Sequence, residues 1–96
     1  MRRRRPIVKE SDIQEVLDEV NVTLDQPTES WTKGPDGKFK ANVGTYQLGM
    51  AYGGYRIEKI VNTGGGIMAL SHYDTKRETL IRALKLRTYA FEDMQS

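Results

Sequence analysis

The chain has one histidine and no cysteine, and His72 stands two residues before Asp74. These two side chains form the natural starting point for metal or acid–base chemistry. A protein metal site draws on three or four donors, and Asp74 is the sole acid near His72. His72 therefore reads as a surface residue beside a helix start. Nucleophilic catalysis has no better footing. No Gly-x-Ser-x-Gly occurs, and His72 has no evident orienting partner. The carboxylate pairs Asp18/Glu19 and Glu92/Asp93 fall in acid-rich or terminal segments, where solvated charge is expected. The residues predict a protein that is not an enzyme and that holds no cofactor or metal.

The basic residues suggest a different chemistry. Lys76 and Arg77 fall in the first turn of a predicted helix, where free N–H groups and the positive end of the dipole already favour an anion. A helix built only for stability would carry acids there, so Thr75-Lys76-Arg77 suits a phosphate. Arg82, Lys85 and Arg87 continue the charge. By helical-wheel angle, Lys76 and Arg87 flank one edge of the apolar stripe, with Arg82 and Lys85 on the back. Arg2, Arg3, Arg4 and Arg5 form a second cluster suited to a polyanion. Arg56 lies among Tyr46, Tyr52 and Tyr55, which would form a base-stacking platform if they faced solvent. Their alternation places them with Leu48, Met50 and Ile57, on the core side.

The glycine-rich stretch "AYGGYRIEKIVNTGGGIMALSHYDTKRE" (51–78) holds five of the nine glycines. It matches neither G-x-x-x-x-G-K-[ST] nor a G-x-G-x-x-G opening directly into a helix. Its glycines read as turns.

The chain has 96 residues, 38% hydrophobic and 29% charged, which bounds it to one domain with a modest core. The formal charge of +2 hides segregation. Residues 9–30 carry one lysine against seven acids, and residues 76–87 carry five bases against Glu78. No apolar run approaches the roughly 20 residues of a membrane span. The absence of cysteine suits a reducing compartment, and the expected location is cytoplasmic.

The elements that would position these groups follow from periodicity. Residues 11–24 predict a helix, with Ser11 and Gln14 as a capping box and Ile13, Val16, Leu17, Val20 and Leu24 on one stripe. Residues 31–43 predict a hairpin turning at Pro35-Asp36-Gly37, anchored by Trp31 and Phe39; a mobile loop is the rival. "YQLGMAY" and "YRIEKIV" alternate on either side of Gly53-Gly54, which predicts a two-residue hairpin pairing Tyr52 with Tyr55, Met50 with Ile57, Leu48 with Lys59 and Tyr46 with Val61. A short helix over 45–52 is the competing reading. After the turn 62–66, "IMALS" (67–71) is a third strand. A C-terminal helix follows, capped by Thr75 and Glu78, with Leu80, Ile81, Leu84, Thr88 and Phe91 as its core stripe. The expected fold class is α+β: an N-terminal helix, a short hairpin, a three-stranded antiparallel meander and a C-terminal helix packed on one sheet face. The expected organisation is a flexible basic arm over 1–10, a single domain over 11–93 and a tail over 94–96.

Between Tyr46 and Ala90, the Tyr-x-Leu-x-x-Ala-Tyr-Gly-Gly run, Val61-Asn62-x-x-Gly-Gly and Thr75-Lys76-Arg77-Glu78 resemble small proteins of unassigned activity encoded by bacteriophage and related mobile elements. That resemblance covers about half the chain and implies a small cytoplasmic protein acting in an infected bacterium. The element order is similar to double-stranded-RNA-binding domains, in which lysines at the start of the last helix grip phosphates, as Lys76 and Arg77 would. The Gly53-Gly54 connection is too short for the minor-groove loop of that family. The meander and final helix are also similar to three-strand-and-helix DNA-binding domains, whose open sheet face Arg56 alone matches here.

The sequence thus predicts a small non-enzymatic nucleic-acid-binding module making phosphate contacts through Arg2–Arg5, Arg56, Lys76 and Arg77, with Arg82 and Lys85 secondary. Two alternatives stand beside it. One is a protein-interaction module, host-directed or a viral accessory factor, presenting the acidic first helix with Leu86 and Tyr89 exposed. The other is a structural subunit that self-associates through an open strand edge.

Overall fold

The computed structural model describes residues 7–95. The expected arm, including Arg2–Arg5, lies outside these residues but for its last few positions. The elements run α1 (Glu10–Thr23), β1 (Trp31–Lys33), β2 (Phe39–Ala41), β3 (Tyr46–Ala51), β4 (Gly54–Ile60), β5 (Ile67–Ala69) and α2 (Lys76–Gln95). The class is α+β, as the periodicities predict. β1 and β2 form a separate two-stranded sheet, and β3-β4-β5 form an antiparallel meander. α2 continues to Gln95, past the expected domain end at 93.

α1 begins two residues before the expected box, with Lys9 rather than Ser11 as the cap. The Asp12 carboxylate accepts the Lys9 N–H at 2.9 Å, while Gln14 instead donates to Asp18 at 2.9 Å. An ionised oxygen is the stronger acceptor for an orphan N–H. At its other end the Asp25 N–H reaches the Val22 carbonyl and the Gln26 N–H reaches the Asn21 carbonyl, with Asp25 left-handed at φ 57°. This pair of bonds closes the helix in a Schellman motif.

The meander turns one residue earlier than expected. Tyr52 (φ 54°) and Gly53 (φ 72°) occupy the two positive-φ positions, as a type I′ turn requires. The pairs are Tyr46↔Lys59, Leu48↔Ile57 and Met50↔Tyr55. The slip moves each partner by two residues, so every side chain keeps its face. Leu48 gains Ile57 opposite in place of Lys59. Gly54 becomes a strand residue, and a Cβ there would lie 3.0 Å from that of Tyr73. This closeness lets Tyr55 and Asp74 exchange backbone hydrogen bonds of 2.8 and 2.7 Å.

The core joins α1 (Ile13, Val16, Leu17), β4 (Ile57) and α2 (Ala83), with Tyr46, Leu48, Leu80, Leu84 and Leu86 packed around it. Two expectations about burial are corrected. Tyr52, Met50 and Val61 are exposed rather than in the core; Tyr52 is a turn residue and Val61 lies past the end of β4. On α2, the deepest residues are Thr79, Ala83 and Ala90, whereas Ile81, Thr88 and Phe91 face outward. Small side chains let α2 approach α1 and the sheet closely, so the bulkier stripe is only partly used. Leu86 is half-buried, not exposed; Tyr89 is exposed as expected.

Asn21, fully buried in α1, ties the helix to the sheet. Its side-chain amide donates to the Tyr46 carbonyl at 3.0 Å and accepts the Tyr46 N–H at 2.9 Å. The amide thus pairs with the outer edge of β3 as a neighbouring strand would.

Candidate nucleic-acid interface

Arg56 and Arg82, both expected to meet phosphate, are engaged by carboxylates of the protein itself. Arg56 points from the open face of β4. Its Nε donates to Glu58 Oε2 at 2.8 Å, and its guanidinium carbon stands 4.2 Å from the centre of the Tyr73 ring. Residues two apart on a strand share a face, so this pairing follows directly from the strand. The hydrogen bond to Glu58 holds Arg56 protonated above its ordinary range. Glu58 is buried, and its other oxygen accepts from Gln47 at 3.0 Å. Gly49 makes room for that carboxylate, since a Cβ there would collide with it.

Arg82 donates to Asp74 at 3.2 Å, and its Nη1 is buried with no hydrogen-bond partner among the described residues. Asp74 also accepts the Thr75 N–H at 2.8 Å. That backbone bond first, and Arg82 second, hold the Asp74 carboxyl below its ordinary value. Arg56 and Arg82 line one cleft of about 560 Å³ with Ser71, His72 and Asp74. The structure therefore brings two of the expected residues together, each beside a carboxylate.

The start of α2 divides the others. The Thr75 hydroxyl accepts the Glu78 N–H at 3.1 Å, the expected cap. The Lys76 ammonium lies 5.5 Å from the centre of the Tyr55 ring, and the Tyr55 hydroxyl donates to Glu10 at 3.0 Å. Arg77 and Lys85 are exposed on α2 and do not line the cleft. Arg87 bridges to Glu19 of α1 at 3.0 Å. Among the described residues, no group of three or more His, Asp or Glu side chains could hold a metal, and no helix is long and apolar enough to cross a membrane.

A surface missed by the sequence reading carries freer charge. The β1–β2 hairpin pairs Trp31 with Ala41, Thr32 with Lys40 and Lys33 with Phe39. Trp31, Lys33 and Phe39 thus share a face. Lys33, Lys38 and Lys40 are all exposed, and none forms an ion pair among the described residues. Asp36, the one acid in the turn, accepts the Lys38 N–H at 3.0 Å and so helps close it. Trp31 and Phe39 stay 44% and 62% exposed, although they were expected as anchors. Ala41 takes the anchoring place: it is buried, and its N–H donates to the Thr63 carbonyl at 2.9 Å. The inner end of the hairpin also rests on Trp31, whose ring edge lies against Gly65. The available signal was the interleaving of Trp31 and Phe39 with Lys33, Lys38 and Lys40. Neither family models, nor curated proteins, nor solved structures give a match to this chain.

Proposed function

We propose that the protein is a binding module for nucleic acid, and that the β1–β2 hairpin makes the contact. One observation carries this reading: one hairpin holds two exposed aromatic rings and three exposed lysines that form no ion pair among the described residues, with Lys33 on the face of the rings, Lys38 at the turn and Lys40 on the opposite face. Lysines meet phosphates without reading sequence, so affinity is electrostatic and weakly specific. Trp31 and Phe39 offer faces on which bases stack. The cleft arginines contribute less, because Glu58 and Asp74 already neutralise them. Lys76, Arg77 and Lys85 add charge at a distance from the hairpin.

Trp31 is the only tryptophan, so its fluorescence reports on the site directly. Titrating labelled single strands and duplexes at two salt concentrations tests the reading. Replacing Lys33, Lys38 and Lys40 together by alanine should lower the slope of log K against log salt by about 2–3, at roughly 0.7–0.9 for each phosphate no longer neutralised. Single-stranded ligand should quench Trp31. No binding at low salt, or an unchanged slope in the triple variant, would refute the proposal.

A further inference from the structure

A second surface lies on the helices. Glu10 meets Tyr55, over which Lys76 sits, while Glu19 meets Arg87. The two helices therefore run side by side in the same direction. Towards their C-terminal ends they enclose an open groove of about 730 Å³. Its apolar floor is Val22 and Phe91, 68% and 59% exposed. Asp18, Glu19 and Glu92 rim it, with Arg87 the one base, already bound by Glu19. Ile81 and Thr88 extend the outward stripe of α2 behind Phe91, a run of eleven residues spanning about 15 Å of helix. This is the apolar stripe that the core left unused.

We infer that this groove docks a basic amphipathic helix of a partner protein. Two observations choose that occupant. The floor is a strip between two parallel helices, which suits a third helix presenting apolar residues at i, i+3/i+4 and i+7. The rim is acidic, and Glu19 is the only acid between residues 9 and 30 in an ion pair among the described residues. Such a rim attracts lysine and arginine beside the anchors and repels an acidic partner. The site is separate from the basic hairpin and does not depend on it.

The test uses the full chain and a synthetic amphipathic helical peptide with leucine anchors and lysine flanks, followed by amide NMR. A second peptide has the same anchors and glutamate flanks. The lysine peptide should shift the amides of Val22, Thr23, Thr88 and Phe91, and its affinity should fall with salt. The glutamate peptide, and the variants V22E and F91E, should each bind at least about tenfold more weakly, the scale of a missing anchor. Both positions are exposed, so these variants should fold, as circular dichroism would confirm. The triple lysine variant of the hairpin should bind the peptide as the parent does. Equal binding of the two peptides, or shifts mapping to the hairpin instead, would overturn the inference. So would full affinity in V22E and F91E. Burial of this face in a dimer without peptide, seen by sedimentation, would also overturn it.

Discussion

Replacing Asn21 by alanine isolates the joint between α1 and the sheet. Asn21 is fully buried, and both polar ends of its amide bond to the backbone of Tyr46, at 2.9 and 3.0 Å. Alanine removes both partners and leaves a void too apolar to satisfy the Tyr46 N–H and carbonyl. Each orphaned buried group costs about 1–3 kcal/mol, so the pair should cost about 2–6 kcal/mol. A chain of this length has roughly 5–14 kcal/mol of total stability, which makes the loss a large share of the whole. A loss of about 3 kcal/mol lowers the urea midpoint by roughly 2 M at a slope near 1.5 kcal/mol/M. It lowers the melting temperature by roughly 12–24 °C. Asn42, which is less buried and bonds to Thr32 and Glu29, is the control, and N42A should cost less than about 1 kcal/mol. Urea unfolding measures both variants, and hydrogen exchange should show the Tyr46 amide losing protection in N21A. An unfolding free energy for N21A within about 0.5 kcal/mol of the parent, or an equally slow Tyr46 amide, would refute this account of the joint.

Other outcomes test single features. Tyr52 holds a left-handed backbone and is almost fully exposed, so Y52N should stabilise the hairpin by about 0.5–1 kcal/mol in thermal melts; a loss of stability would show that its edge contact with Tyr73 matters more. Asp74 titrates below its ordinary 3.8. Its contribution to stability is therefore present above the ordinary carboxylate range and lost as the pH falls through its folded value. Carboxyl NMR should place its midpoint below 3.8, with R82A returning it only part of the way because the Thr75 N–H is the larger cause; a midpoint at or above 3.8 would contradict the geometry. The Arg87–Glu19 bridge is exposed at both ends, and a double-mutant cycle should give less than about 1 kcal/mol, fading with salt. R56A should unfold at lower urea than R56A/E58Q, because the single change strands the buried Glu58 carboxylate; the reverse order would mean that Glu58 has other support.

What the residues determined by themselves is local. Pro35-Asp36-Gly37, the alternation on either side of Gly53 and the Thr75/Glu78 cap each act within a few residues, and each stands where the sequence places it. Period-two alternation also survives a slip of two residues, so the faces of β3 and β4 were legible although the register was not. The spacing of Arg56 and Glu58, two residues apart on a strand, carries the signal for their ion pair, which the expectation of a free Arg56 passed over.

The tertiary structure decided which face of α2 is buried and which charges remain free. Hydrophobicity points to Ile81 and Phe91, but close packing against α1 favours the small side chains of Thr79, Ala83 and Ala90. The register turns on how closely Tyr73 and Asp74 approach Gly54, which strand alternation does not contain. Asn21 and Tyr46 are 25 residues apart, and Glu19 and Arg87 are 68 apart. Such separations carry no periodic signal, since only the packed chain brings the partners together. Among the described residues, lysines without ion pairs therefore lie on the hairpin and acids rim the groove, while Arg56, Arg82 and Arg87 are held by carboxylates.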